Sequence, residues 1–269
     1  MTRLAAVIGS PVAHSLSPAI HRAAFAAAGV DWTYAALEVA PGAAADALAA
    51  MRTLGIGGLS VTMPHKEAVA DAVDRLDPAA RTLHSVNTVS WDGDQLVGSS
   101  TDGAGFVASL ADAGVSVDGA KVAVIGAGGA ARSVIDALAR AGASDITVLN
   151  RTQDRAEAAA ALTPVASPGI ISDISRADIV VNATSVGMGG DRSLPCDPEL
   201  LNDGQTVADL VYHPLETPWL AAAARRGART VDGLGMLVHQ AALQQRIWLG
   251  DDAVIDTAAM RAAAERSLS

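Results

Sequence analysis

The chain has 269 residues, half of them apolar and 18% charged, and its mean hydropathy is positive, which excludes disorder over most of its length. A net charge of −10 repels phosphate backbones and anionic lipid, which excludes a general nucleic-acid or membrane-surface role. One cysteine, Cys196, excludes an internal disulfide framework and fits a reducing cytosol, and no stretch approaches the ~20 apolar residues of a bilayer span.

Aromatic residues make up only 3% of the chain, so alanine, valine, leucine and isoleucine must fill the core, as they do between helices and a parallel sheet. The elements in chain order agree with an α/β fold. A strand is predicted at 4–8, too soon broken by Gly9 and Pro11 to be a secretory leader. A helix follows at 18–28 with Ser17 as its cap, then a strand at 32–39, a helix at 42–53 and a strand at 58–62. A helix after Pro64 and a short hairpin at 91–94 complete a first unit, whose βαβα order predicts parallel pairing.

A second unit opens near residue 103. It carries helices at 105–113, 130–141, 153–162 and 218–226, and strands at 121–125, 145–149, 179–182 and 206–210. After Val231 the pattern is helical, and those last helices are expected to pack back on the first unit.

The strand at 121–125 runs into Gly126-Ala127-Gly128-Gly129-Ala130-Ala131, a G-x-G-x-x-A pattern that opens a helix. In that context Gly126 permits the tight turn, Gly128 lets a pyrophosphate approach the backbone, and Ala131 lets helix and sheet pack closely. The next strand ends in Asn150-Arg151-Thr152 with Arg155 following, not in the acidic residue that binds a free ribose hydroxyl. Arginine suits a 2′-phosphate, so NADP is preferred over NAD. If a helix starts there, Arg151 and Arg155 face one phosphate; the plainer alternative is a solvated charge cluster with Asp154 and Glu157.

Of nineteen cationic side chains only Lys66 and Lys121 are lysine. An ammonium can be tuned to give up a proton near neutral pH and a guanidinium cannot. Lys121 merely precedes a strand, whereas Lys66 follows a strand and turn, at the carboxyl end where α/β sheets collect ligands. The six histidines are scattered without metal spacing, so no metal is expected, and His65 is expected as a surface imidazole.

Several stretches together resemble the shikimate dehydrogenase family along essentially the whole chain. They are His14-Ser15-Leu16-Ser17-Pro18, Ser60-Val61-Thr62-Met63-Pro64-His65-Lys66, Val86-Asn87-Thr88, Thr101-Asp102-Gly103, the Gly126 loop, Asn150-Arg151-Thr152, residues 182–188 and residues 232–240. The resemblance, closest to the NADP-dependent branch, implies reduction of 3-dehydroshikimate to shikimate by NADPH, and the reverse. It implies a substrate-binding catalytic domain of residues 1–102 plus 232–269 and a Rossmann-type NADP domain of residues 103–231. Lys66 and Asp102 match the catalytic pair. Ser15 and Ser17 match the grip on the substrate carboxylate, and Thr62, Asn87 and Gln240 the contacts to ring hydroxyls. Tyr212 and Gly233 fall where substrate and nicotinamide meet. The cofactor set is Gly126, Ala127, Gly128, Gly129, Ala130, Asn150, Arg151, Thr152, Arg155, Thr184 and Gly233.

Many relatives carry Asn where this chain has Ser60 and Ser100, and a hydroxyl offers one donor against an amide's two, which bears on hydroxyl specificity. A quinate/shikimate dehydrogenase using NAD, an aminoshikimate dehydrogenase and a non-catalytic NADP sensor are the alternatives; the last predicts nucleotide binding without turnover. A cytoplasmic monomer or homodimer is expected.

Overall fold

The first predicted strand is β1 (Arg3–Gly9), and its run from Ala5 to Ile8 is buried on both faces. That is the signature of a strand covered by helices on either side. The computed structural model describes residues 2–268, which divide into two units: one runs to Thr101 and resumes at Gln240, and the other is Asp102–His239.

In the first unit β1 is followed by α1 (Ser17–Ala27), β2 (Trp32–Glu38), α2 (Ala44–Leu54), β3 (Gly58–Val61), α3 (Lys66–Ala72), β4 (Arg75–Leu76), α4 (Pro78–Leu83), β5 (Thr88–Asp92) and β6 (Gln95–Ser99). The sheet order is β2-β1-β3-β5-β6-β4. Parallel pairing holds between β1 and its neighbours β2 and β3, and between β4 and β6, but β5 is antiparallel to β3 and β6. Between β5 and β6 the physical reason is the turn at Gly93, φ 59°, which reverses the chain too tightly for a parallel crossover. One sheet face packs Ile8, Leu59 and Val61 against Leu48 and Met51 of α2 and Val69 of α3; the other packs Ala5 and Val7 with Phe25 and Tyr34.

The second unit contains α5 (Asp102–Asp112), β7 (Lys121–Ile125), α6 (Gly129–Arg140), β8 (Asp145–Leu149), α7 (Gln153–Ala160), β9 (Ala166–Pro168), β10 (Ile179–Asn182), β11 (Thr206–Asp209), α8 (Pro218–Arg225) and β12 (Arg229–Val231). Its sheet, β12-β11-β10-β7-β8-β9, is parallel throughout. Counted from β7 the order is 6-5-4-1-2-3, the Rossmann arrangement, and it changes direction between β7 and β10. Ligands of such sheets bind at that point, beyond the carboxyl ends of the strands. The chain ends with α9 (Gly233–Leu249) and α10 (Thr257–Leu268), and α10 packs on α1 as expected of the last helices. The return to the first unit falls at Gln240, inside α9.

Two of the helix starts that differ from expectation involve expected site residues. Ser17 does not cap α1: it is the first helical residue, and its own N–H donates to Ser15 Oγ at 3.2 Å. α5 begins at Asp102, not at 105. Gly103 looks like a helix breaker in sequence, yet a Cβ there would lie 2.0 Å from the Ser133 carbonyl oxygen, so the glycine permits close packing on α6.

Candidate active site

In the first unit the carboxyl ends of β1, β3 and β6 share one sheet edge with the start of β5, because Ile8 pairs with Val61, Ser60 with Thr88, and Thr88 with Ser99. Backbone bonds bind the loops there into one frame: Thr62 N–H donates to Ile8 O at 2.9 Å, Val61 N–H to Asn87 O at 2.8 Å, and Val86 N–H to Lys66 O at 3.0 Å. Thr62, Lys66 and Asn87 are thereby held by neighbouring segments. Lys66 is the first residue of α3 and half-buried. His65, before it, is not the surface imidazole expected: it is 1% exposed and its Nε2 lies 2.8 Å from Val39 O. That carbonyl can only accept, so the ring anchors the turn that presents Lys66.

Asn87, one of the expected substrate residues, is bonded through both ends of its amide. Its Oδ1 accepts from Thr101 N–H at 2.8 Å and from Thr88 Oγ1 at 2.8 Å. Its Nδ2 donates to Thr101 Oγ1 at 2.9 Å and to Gln240 Oε1 at 3.4 Å, so the structure brings Asn87 and Gln240 together. Ser15 and Ser17 also meet, at the mouth of α1. Ser60, considered above for hydroxyl recognition, is turned inward instead, bonded to Tyr34 Oη at 2.6 Å and Gln244 Oε1 at 2.5 Å. Tyr34 and Gln244 carried no signal in the sequence beyond apolar or helical patterning.

In the second unit the glycine loop stands at the carboxyl end of β7. Gly126 has φ 121°, and a Cβ there would lie 2.8 Å from the Ala183 oxygen, so both conformation and space demand glycine. A Cβ on Gly128 or Gly129 would meet nothing within 4 Å, and no side chain caps α6, so its first N–H groups open onto free space beside Ala127 and Ala130. That arrangement fits a dinucleotide pyrophosphate, which needs backbone approach and the positive end of a helix. Asn150 donates from Nδ2 to Thr152 O at 2.9 Å, closing the turn after β8. Arg151 and Arg155 are both exposed, but α7 starts at Gln153, so Arg151 precedes the helix and the pair does not sit on one helical face.

The loop after β10 is ordered by Asn182, whose Oδ1 accepts from Thr184 N–H at 3.1 Å and Thr184 Oγ1 at 2.7 Å. Its Nδ2 donates to the buried Asp209 at 2.9 Å. Asp209 also accepts from Val211 N–H at 3.0 Å and Thr217 Oγ1 at 2.7 Å. Sequence reasoning passed over Asp209 and Thr217, because a strand-end aspartate before a loop is ordinary. Tyr212 follows β11, half-buried, and burial pushes its hydroxyl pKa up. Gly233 opens α9 where a Cβ would lie 2.5 Å from the Leu210 oxygen, so that helix starts hard against the end of β11. Among the described residues no cluster of three His, Cys, Asp or Glu is placed to hold a metal, and no helix is long and apolar enough to cross a membrane.

Residues 7–89 match the shikimate dehydrogenase substrate binding domain, 109–187 the shikimate / quinate 5-dehydrogenase domain, and 233–265 the shikimate 5'-dehydrogenase C-terminal domain. The chain is 44% identical over 266 residues to the shikimate dehydrogenase (NADP(+)) of Moorella thermoacetica, covering 94% of this chain and 90% of that protein. The chain belongs to the shikimate dehydrogenase family. Among solved members, the shikimate 5-dehydrogenase of Thermus thermophilus in complex with NADP(H) and shikimate aligns with a TM-score of 0.93 at 36% identity, over 99% of this chain and 100% of that one. The fold of the shikimate dehydrogenases extends to another ketone: the 5-ketofructose reductase of a Gluconobacter species aligns at a TM-score of 0.91 and 34% identity, over 99% of each chain.

Proposed function

We propose that this chain is an oxidoreductase that interconverts 3-dehydroshikimate and shikimate with NADP(H). The observation that carries this is its 44% identity, over nearly its whole length, to an NADP-dependent shikimate dehydrogenase. The first unit is the substrate domain and the second the NADP domain. NADP(H), when bound, supplies or takes the hydride at C3 of the ring. Lys66 gives its proton to the C3 oxygen during reduction and takes it back during oxidation, and its ammonium opposes the negative charge that grows on that oxygen. Asp102 orients the ammonium and accepts a hydrogen bond from a substrate hydroxyl. Ser15 and Ser17 receive the carboxylate at the mouth of α1, aided by the helix dipole. Thr62, Asn87 and Gln240 hold the ring hydroxyls, and Tyr212 and Gly233 bring ring and nicotinamide together.

On the cofactor side, the open N-terminus of α6 with residues 126–130 takes the pyrophosphate, and Thr184 lies on the loop that meets the nicotinamide end. Asn150, Arg151, Thr152 and Arg155 surround the 2′-phosphate. The end of β8 runs into Asn150-Arg151-Thr152 and not into an acidic side chain, which supports NADP over NAD. The protein acts in the cytoplasm as a monomer or homodimer.

The test is NADPH oxidation by purified protein offered 3-dehydroshikimate, 3-dehydroquinate or 5-ketofructose, repeated with NADH. Preference for 3-dehydroshikimate and NADPH is expected. A folded protein that binds NADP(H) yet turns over none of the three ketones would be a sensor, and one that prefers either other ketone would move the substrate assignment.

A further inference from the structure

Beside the expected substrate contacts, the first unit buries a polar chain of Tyr34, Ser60, Gln244 and His21, all 5% exposed or less, and the Tyr34 hydroxyl also meets the Ser17 side chain. The direction of every hydrogen in it follows from which atoms can only accept. Gln244 Nε2 donates to Asn87 O at 3.2 Å, so its Oε1 faces Ser60 Oγ at 2.5 Å and His21 Nε2 at 3.1 Å. An amide oxygen only accepts. The single hydroxyl hydrogen of Ser60 is therefore committed to Gln244, and Tyr34 Oη, 2.6 Å from Ser60, must donate to it. The same argument puts the other hydrogen on His21 Nε2 and leaves Nδ1 to accept from Gln245 Nε2 at 3.1 Å. The His21 ring stacks on Tyr34, with centroids 4.3 Å apart and planes 4° from parallel.

The chain ends on Asn87, and so does Gln240. Gln240 and Gln244 lie four residues apart on α9 and therefore on one face of that helix. Gln244 engages the Asn87 backbone and Gln240 its side chain. Whatever fixes Gln244 fixes the rotation of α9 about its own axis, and with it where Gln240 stands against Asn87.

We propose that Tyr34, Ser60 and Gln244 are positioning residues for substrate recognition, acting as one directed hydrogen-bond chain that sets Gln240 against Asn87. This rests on the reading that Asn87 and Gln240 hold the ring hydroxyls. Ser60 is the link that matters most, because it joins a side chain of the sheet to the helix.

The experiment is steady-state kinetics of wild type, Ser60→Ala, Tyr34→Phe and the double variant in the direction of shikimate oxidation, below the unfolding midpoint measured for each. Ser60→Ala removes both hydrogen bonds of the hydroxyl, and a loosened Gln240 costing about one neutral hydrogen bond to substrate predicts a KM for shikimate raised about fivefold to tenfold. Little change is expected in kcat or in the KM for NADP+. Tyr34→Phe keeps the ring and its stacking and should raise the shikimate KM by a smaller factor. The double variant should fall short of the sum of the two single effects, because both substitutions break the Tyr34–Ser60 link, while the contact of Tyr34 with Ser17 is lost only with Tyr34. An unchanged shikimate KM, an equal rise in both KM values, or an additive double variant overturns the proposal. If Ser60→Ala does not fold, Tyr34→Phe decides by the same split between the two KM values. Wild type without shikimate turnover overturns the functional reading, and this one with it; wild type with turnover but indifferent variants overturns only the positioning chain.

Discussion

Asn182 and Asp209, at the carboxyl ends of adjacent strands β10 and β11, are joined at 2.9 Å, and both are buried. Asp209 receives donors from Asn182, Val211 and Thr217, so three segments around the second unit's ligand edge converge on one carboxylate. Burial raises the Asp209 pKa, against the opposing effect of the hydrogen bonds from Thr217, Val211 and Asn182. Asp209→Asn preserves shape but turns an amide NH2 against one of those donors. A loss of about 2 kcal/mol in stability is expected from denaturant unfolding. Calorimetric titration should show NADP+ bound more weakly, because Asn182 also holds the Thr184 turn; unchanged NADP+ affinity in the variant would confine Asp209 to the core.

Lys66 is expected to matter through its proton and not its charge alone. Lys66→Ala should lower turnover by about 10² to 10⁴-fold. Lys66→Arg should be nearly as inactive, because a guanidinium keeps its proton. NADP+ affinity, measured by fluorescence titration, should stay close to wild type in both. An active Lys66→Arg enzyme would show that only charge is needed.

Arg151 and Arg155 are exposed beside the turn that Asn150 closes. Arg151→Ala should raise the KM for NADPH about tenfold, the expected loss of one charge-assisted hydrogen bond. The KM for NADH should scarcely move. Equal effects on both cofactors would remove Arg151 from the 2′-phosphate site.

His21 gives the first unit a pH dependence of stability. Burial pushes its imidazole pKa down to about 3, although the Gln244 bond favours the protonated ring. The folded state resists protonation that the unfolded state accepts below pH ~6.5, so this contribution is complete above that value and is lost as pH falls. The slope is about 1.4 kcal/mol per pH unit between ~6 and ~3. Urea midpoints for wild type and His21→Asn, compared at about pH 7, 6 and 5, should converge as the acid penalty on wild type grows. A constant difference across that range would mean the ring is not neutral in the fold.

Much of the second unit was legible because its strands are long apolar runs with turn signals at each end. Strands at 121–125, 145–149 and 179–182 stand where they were predicted. Strands β4, β9 and β12, of two or three residues each, were not, because so short a segment has no periodicity to detect. The start of α5 lies three residues before the expected one, across Gly103, whose role is close packing, and the Ser17 cap is displaced by a helix that begins one residue earlier.

By itself the sequence determined the α/β class, the glycine loop on its strand, the isolated lysine after β3 and the run of motifs that marks the family. These are local patterns, carried by residue type and spacing along the chain. Only the tertiary structure decided that His65 is an anchor, that Ser60 turns inward to Tyr34 and Gln244, and that Asp209 gathers three segments. Those outcomes depend on which donors and acceptors meet across distant parts of the chain. The direction of a buried hydrogen bond is settled by the whole set of partners around it.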